Sequence, residues 1–234
     1  MLLLLLVVVF AIAGVAFLVA SHANSLTYYD AIDLAAPNCG QVYAHQIGNH
    51  SFGIVGVNNA TANFSQNPCL STEAHLFPSH ALYAVGNYPS PYCSSHGWSS
   101  ANECGRQAAI YAANYAKSKG VWDSRWYIDV ETGAGWGSNT YSNRQFLNGM
   151  WGGLVSEGAN QIGYYSNQSM WKQITGAWWN SSPGWYATGW RSSSDNPSGV
   201  TGYCKWKFTY AGNHWVQFIH SYNGVTVDED VLCR

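Results

Sequence analysis

The residues best equipped for chemistry sit in one short segment, Trp126-Tyr127-Ile128-Asp129-Val130-Glu131-Thr132. Its aromatic and β-branched composition predicts a strand over residues 126–130. Alternate residues of a strand point to the same face. Asp129 and Glu131 therefore share one side at the strand's C-terminal end, and Ile128 and Val130 share the other. A charged pair in an otherwise apolar strand is costly unless it is solvated or used. Two carboxylates in unequal environments are what general acid/base cleavage of a glycosidic bond requires. The alternative is structural: the pair caps the strand end and bonds nearby backbone or Arg125.

Other chemistries find less support. The chain has only 12 Asp and Glu in 234 residues. It has no G-x-S-x-G nucleophile elbow and no H-E-x-x-H zinc helix. His45, His50, His75, His80, His96, His214 and His220 are scattered, without helical metal-ligand spacing. No C-x-x-C pair occurs, which argues against a zinc ribbon or a thioredoxin-like site. No Gly-rich phosphate loop follows a strand. No metal and no organic cofactor is implied.

Composition narrows the partners. Hydrophobic residues make up 47% and charged residues only 9%, with 12 Trp and 16 Tyr. Ten Lys and Arg cannot supply the basic surface that nucleic acid needs. Few charges and many aromatics exclude intrinsic disorder. A surface rich in Trp, Tyr, Asn, Ser and Gly suits uncharged polar ligands, sugars above all. Their C–H faces stack on rings while their hydroxyls take neutral hydrogen-bond partners.

Residues 2–20 are 19 consecutive apolar or Gly residues, followed by Ser21-His22-Ala23. This reads as a signal peptide over residues 1–23, cleaved after Ala23. The run is also long enough to serve as a membrane anchor if uncleaved, the only membrane contact implied. Either way a single domain over residues 24–234 lies outside the cytoplasm. Six cysteines fit that oxidising location and read as three disulfides. They are Cys39, Cys69, Cys93, Cys104, Cys204 and Cys233. Many pairings are open. Cys93 and Cys104 are near enough to close a local loop, and Cys204 with Cys233 would tie the last strands, leaving Cys39 for Cys69. N-x-S/T sequons start at Asn49, Asn59, Asn63, Asn167 and Asn180.

Strand-like runs cover residues 28–34, 52–57, 81–85, 126–130, 162–165, 185–188, 205–210 and 215–219. Helical patterns cover residues 70–77, 102–118 and 142–157, the last with an apolar stripe through Phe146, Met150 and Leu154. Strands separated by helices indicate parallel βα units. Helical signals thin out after about residue 176. The expected architecture is α/β: a modified, incomplete (β/α) TIM-like barrel of about eight strands, with few helices in its C-terminal part. An open doubly wound sheet is the alternative.

Taken in order, these segments resemble the glycoside hydrolase family 25 lysozymes and their secreted relatives. Ala31-Ile32-Asp33-Leu34 is similar to the family's first strand, which ends in an Asp. Residues 52–57 are similar to the second. Tyr127-Ile128-Asp129-Val130-Glu131 resembles its D-x-E strand, the most diagnostic piece. Ile162-Gly163-Tyr164-Tyr165-Ser166-Asn167 resembles the strand that brings a Tyr to the site. Trp185-Tyr186-Ala187 and Trp215-Val216-Gln217-Phe218 resemble later aromatic strands, and Asp228-Glu229-Asp230 a terminal Asp-containing turn. Asn67-Pro68-Cys69, residues 86–91 and residues 163–176 bring the chain closer to a cysteine-bearing secreted branch. Asn58-Asn59 stands where many of the lysozymes carry an acidic or basic residue.

The resemblance implies a hydrolase of β-glycosidic bonds in peptidoglycan or another N-acetylhexosamine polymer. Glu131 would be the general acid. Asp129 would orient the substrate's N-acetyl group or stabilise developing positive charge. In an inverting variant Asp33 would activate water. Asp230 would stand at the rim beside it. Tyr165, or less readily Tyr164, would bond the sugar, and Trp185, Trp190 and Trp215 would be stacking platforms. The competing expectation is a non-catalytic glycan-binding or extracellular structural protein on the same barrel.

Overall fold

The computed structural model describes residues 31–41, 50–59, 62–191, 202–222 and 225–233. The leader, His45, Asn49 and the first residues expected in the opening strand lie outside them, as do the side chains of Trp190 and His220. No helix among the described residues is long and apolar enough to cross a membrane.

Eight strands close a barrel in sequence order. They are β1 (Ala31–Leu34), β2 (Phe52–Gly56), β3 (Ser79–Val85), β4 (Arg125–Asp129), β5 (Gln161–Ser166), β6 (Gly184–Arg191), β7 (Asn213–Tyr222) and β8 (Val225–Leu232). β1 to β7 pair in parallel. β8 runs antiparallel to both β7 and β1 and completes the ring. The helices are α1 (Leu70–Ala74), α2 (Ser90–Ser95), α3 (Ala101–Ser118), α4 (Thr140–Ser156) and α5 (Gln168–Thr175). The barrel itself is complete. The helical layer is what thins, since beyond α5 the described residues hold only a 3₁₀ turn at Gly202–Lys205.

Two expected elements differ. Residues 205–210 alternate like a strand but form irregular chain after the 3₁₀ turn, with Phe208 buried against Trp171 and Lys205, Trp206 and Lys207 exposed. The Asp228-Glu229-Asp230 segment is no turn. It is the middle of β8, where Val227 and Val231 face the apolar layer outside the barrel and the Asp side chains share the face opposite.

Period-two alternation separates two apolar layers. Ile32, Leu34, Val55, Leu82, Trp126, Ile128 and Tyr164 pack outward under the helices. Ala31, Ile54, Ala81, Tyr83, Tyr127, Tyr165, Trp185 and Ala187 fill the barrel. Large rings fit inside because small residues stand opposite them. A Cβ on Gly163 would lie 2.5 Å from the Tyr127 ring, and one on Gly56 2.9 Å from Tyr83. The same device joins α3 to α4. A Cβ on Gly149 would lie 1.9 Å from the Asn102 carbonyl oxygen, and one on Gly105 2.0 Å from that of Phe146.

Local signals fix the helix ends. Ser100 and Asn167 accept backbone N–H bonds at the starts of α3 and α5, as does Asn139 for α4. Gly176 takes the left-handed conformation after α5. Three disulfides add cross-links: Cys39–Cys69, Cys93–Cys104 and Cys204–Cys233.

Candidate active site

Asp129 ends β4 at the C-terminal rim of the barrel, flanked in register by Val85 and Tyr165. Hydrogen bonds hold this strand end on both sides. Gly86 N donates to the Asp129 carbonyl at 2.7 Å, and Val130 N donates to the Tyr165 carbonyl at 2.9 Å. Ser166 Oγ donates to the Val130 carbonyl at 2.8 Å. Glu131 stays extended, with φ −116° and ψ 147°, so alternation continues and keeps its carboxyl on the Asp129 side. Trp136 Nε1 donates to the Glu131 carbonyl at 2.9 Å before the chain turns away at Gly135.

β1 and β8 add three further carboxylates. Asp33 pairs in register with Asp228, and Asp230 with Ala31, one step deeper in the barrel. Asp33, Asp129, Glu131, Asp228 and Asp230 thus converge from three strands, and their charges act on one another. None of the five has a salt-bridge partner among the described residues. The cluster has hydrogen-bond donors instead. Gln217 Nε2 donates to Asp33 Oδ2 at 2.6 Å, and Tyr165 Oη donates to Gln217 Oε1 at 2.6 Å. Trp185 Nε1 donates to Asp230 Oδ1 at 2.6 Å. Asp129 is only 6% exposed, and its Oδ1 has no hydrogen-bond partner among the described residues.

Burial without a cation disfavours the ionised forms. It lifts Asp129 well above the ordinary carboxylate range, and the Glu131 charge adds to the effect. It raises Glu131 too, against a hydrogen bond from Tyr165. Asp33 is raised well above its usual value by burial and then by Asp228 and Asp230. Burial and then Glu131 push Asp228 up to about 6. Buried Asp230 is raised despite the Trp185 bond. Raised pKa values favour the protonated forms, the state from which a carboxyl can donate a proton. Glu131 and Asp228 are half-buried, whereas Asp33, Asp129 and Asp230 are enclosed, so these two are the acids most open to a ligand. Among the described residues no group of three His, Cys, Asp or Glu has the geometry to hold a metal ion.

The other expected site residues divide. Tyr165 points into the barrel and meets the cluster. Tyr164 faces outward and packs on Trp171, 5.2 Å between ring centroids. Trp185 is 1% exposed and is an interior wall beneath the carboxylates, not an open platform. Trp215 lies toward the other end of the barrel, stacked on Phe52 at 5.6 Å. It lines a cavity of about 920 Å³ there with Arg125, Tyr127 and His214. Gln217, Tyr83 and Asp228 were not singled out from sequence. The first bridges Tyr165 and Asp33, and the hydroxyl of the second is disfavoured from ionising by burial and by the charges of Asp33 and Asp129. Parity along β7, β3 and β8 was the one signal that could have flagged them.

Comparisons with known proteins bear on the fold and the family. No curated protein sequence matches the chain. Among solved structures it is similar to the bacterial lysozyme from Streptomyces coelicolor, at 20% identity and a TM-score of 0.57, covering 86% of this chain and 90% of that one. It is similar to a muramidase from Acremonium alcalophilum, at 16% identity and a TM-score of 0.57, covering 87% and 93%. A glycosyl hydrolase 25 of Streptococcus pneumoniae aligns at 18% identity and a TM-score of 0.55, covering 86% of each. At these identities the likeness establishes a shared fold, the one the ordered motifs implied. Residues 41–206, well over half of the chain, match the family described as Lysozyme-like protein 1, and the protein belongs to that family.

Proposed function

We propose that the protein is a secreted glycoside hydrolase that cleaves β-glycosidic bonds of peptidoglycan or another N-acetylhexosamine polymer, with Glu131 as general acid. The observation that carries this reading is the strand-end pair Asp129 and Glu131 within a buried cluster of carboxylates that has no salt-bridge partner among the described residues. Protonated Glu131 gives its proton to the glycosidic oxygen as the C1–O bond breaks and the oxygen of the substrate's own N-acetyl group bonds C1; water then adds at C1, breaks that bond and returns its proton to Glu131. Asp129, beside it and more buried, holds the substrate's N-acetyl group or offsets positive charge developing at C1. Asp33 has one oxygen occupied by Gln217 and is 4% exposed. This favours an electrostatic role over activation of bulk water. Tyr165 and Gln217 keep the Glu131 and Asp33 carboxyls in register.

The leader and the three disulfides support export, and the family supports a glycan substrate. The test is mass spectrometry of soluble products after incubation with purified peptidoglycan and with chitin oligomers. New reducing ends of defined sugar composition are expected from at least one polymer. A folded protein that releases nothing from either, yet is retained on it, would shift the reading to a glycan-binding protein on this barrel.

A further inference from the structure

One surface outside the carboxylate site is built like a ligand platform. The loop between α5 and β6 carries Trp179, 65% exposed, and the segment before β7 carries Trp206 and Tyr210, 51% and 75% exposed. Exposed rings of this size are unusual unless they have a partner. The two segments are joined: Tyr210 N donates to the Asn180 carbonyl at 2.7 Å. Beneath them a buried layer supports the rings. Trp171 stacks on Trp178 at 5.9 Å, donates its Nε1 to the Trp178 carbonyl, and meets Phe208 at 5.3 Å. The Cys204–Cys233 disulfide pins the second segment to the end of β8. Trp179 with Lys172 and Lys207 borders a depression of about 190 Å³.

Charge is one-sided here. Lys172, Lys205 and Lys207 are exposed, and none has a salt-bridge partner among the described residues. Residues 168–182 and 202–212 contain no Asp or Glu. Three of the chain's ten Lys and Arg therefore stand around these rings, in a protein that is otherwise poor in charge.

We propose that this flank, formed by Trp179, Trp206, Tyr210 and the three lysines, is an accessory binding surface for a carboxylate-bearing glycan chain. Pyranose C–H faces stack on the exposed rings, and the ammonium groups pair with carboxylates along the chain. The fixed support beneath the rings lowers the ordering cost of binding. The surface lies outside the barrel and includes none of the five site carboxylates. It holds whether or not the chain hydrolyses its ligand, so binding tests it and turnover does not.

The probes are glycol chitin and carboxymethyl chitin, which share a backbone and differ in carboxylate. Affinity electrophoresis of the full chain with Glu131→Gln, in gels containing each polymer, measures retention without degradation. Retention in both is expected, stronger in carboxymethyl chitin. Joint Trp179→Ala and Tyr210→Ala substitution should weaken both by about tenfold, the loss typical of aromatic anchors. Joint Lys172→Gln, Lys205→Gln and Lys207→Gln substitution should erase only the preference for carboxymethyl chitin, as should 1 M salt. Thermal melts establish that each variant is folded, and the lysine variant decides if the aromatic one is not. Unchanged retention in the folded variants would overturn the proposal. So would absence of retention in both polymers, or binding to phosphatidylserine vesicles in place of the polymers.

Discussion

Neutralising Asp228 should change how stability depends on pH, by an amount the structure sets. Its pKa rises from an ordinary 3.8 to about 6 because it is buried and faces Glu131. A folded-state pKa above the unfolded one means that the folded protein holds the proton more tightly. The associated stability is fully present below the unfolded value and is lost as pH climbs through about 6. A shift of roughly two units, at about 1.4 kcal/mol per unit, makes the whole loss ~3 kcal/mol, of which roughly 2 kcal/mol falls between pH 4 and pH 7. Asn at this position cannot ionise, so Asp228→Asn should escape that loss. Asp33 adds to the effect, because the Asp228 charge is part of what raises it. Glu73, raised to about 7 by burial, falls in both proteins and cancels in the difference. So do Glu103 and Asp123, whose lowered pKa values act in the opposite direction. The assay is urea denaturation of wild type and variant at pH 4 and pH 7, disulfides intact. Wild type should lose roughly 2 kcal/mol more than the variant on going from pH 4 to pH 7. An equal change in both proteins would refute the carboxylate cluster as described.

Three further outcomes follow from packing and cross-links. Gly149→Ala places a methyl group against the Asn102 carbonyl, so it should separate α3 from α4 and cost roughly 1–3 kcal/mol; an unchanged Tm would contradict that contact. Joint Cys204→Ser and Cys233→Ser substitution opens a loop of separation 29 and should cost about 2–4 kcal/mol, read by chemical denaturation. Tyr165→Phe removes the hydroxyl that meets both Glu131 and Gln217. It should lower kcat more than it changes KM and move the alkaline limb of the pH–rate profile upward, since the general acid must be protonated and the hydroxyl holds the Glu131 pKa down; an unmoved profile would place Tyr165 outside the machinery.

Much of the barrel was legible because period-two alternation and helix caps are local. β4, β5, α3 and α4 fall within a residue or two of where their patterns put them. β8 was missed as a strand because Asp228-Glu229-Asp230 was placed by resemblance in a terminal turn. The alternation of Val227, Glu229 and Val231 against Asp228 and Asp230 was nonetheless present. Residues 205–210 misled in the reverse sense, since exposed Lys and Trp alternate there without a strand partner. At the site, parity correctly separates the inward Tyr165 from the outward Tyr164. Parity does not give depth. Trp185 and Trp215 both lie on aromatic strands, yet one sits under the carboxylates and the other near the opposite mouth. Depth depends on strand stagger, a property of the closed barrel that no single segment encodes. The same holds for Gln217, whose role rests on partners 52 and 184 residues away.

The most direct test of the central claim compares the rate of reducing-end release from one purified polymer by wild type and by Glu131→Gln. Removing a general acid should cut kcat/KM by on the order of 100-fold or more, with the Tm unchanged and binding to the polymer retained. A folded Glu131→Gln protein that works at the wild-type rate would contradict the assignment of Glu131 and with it the mechanism built on the end of β4.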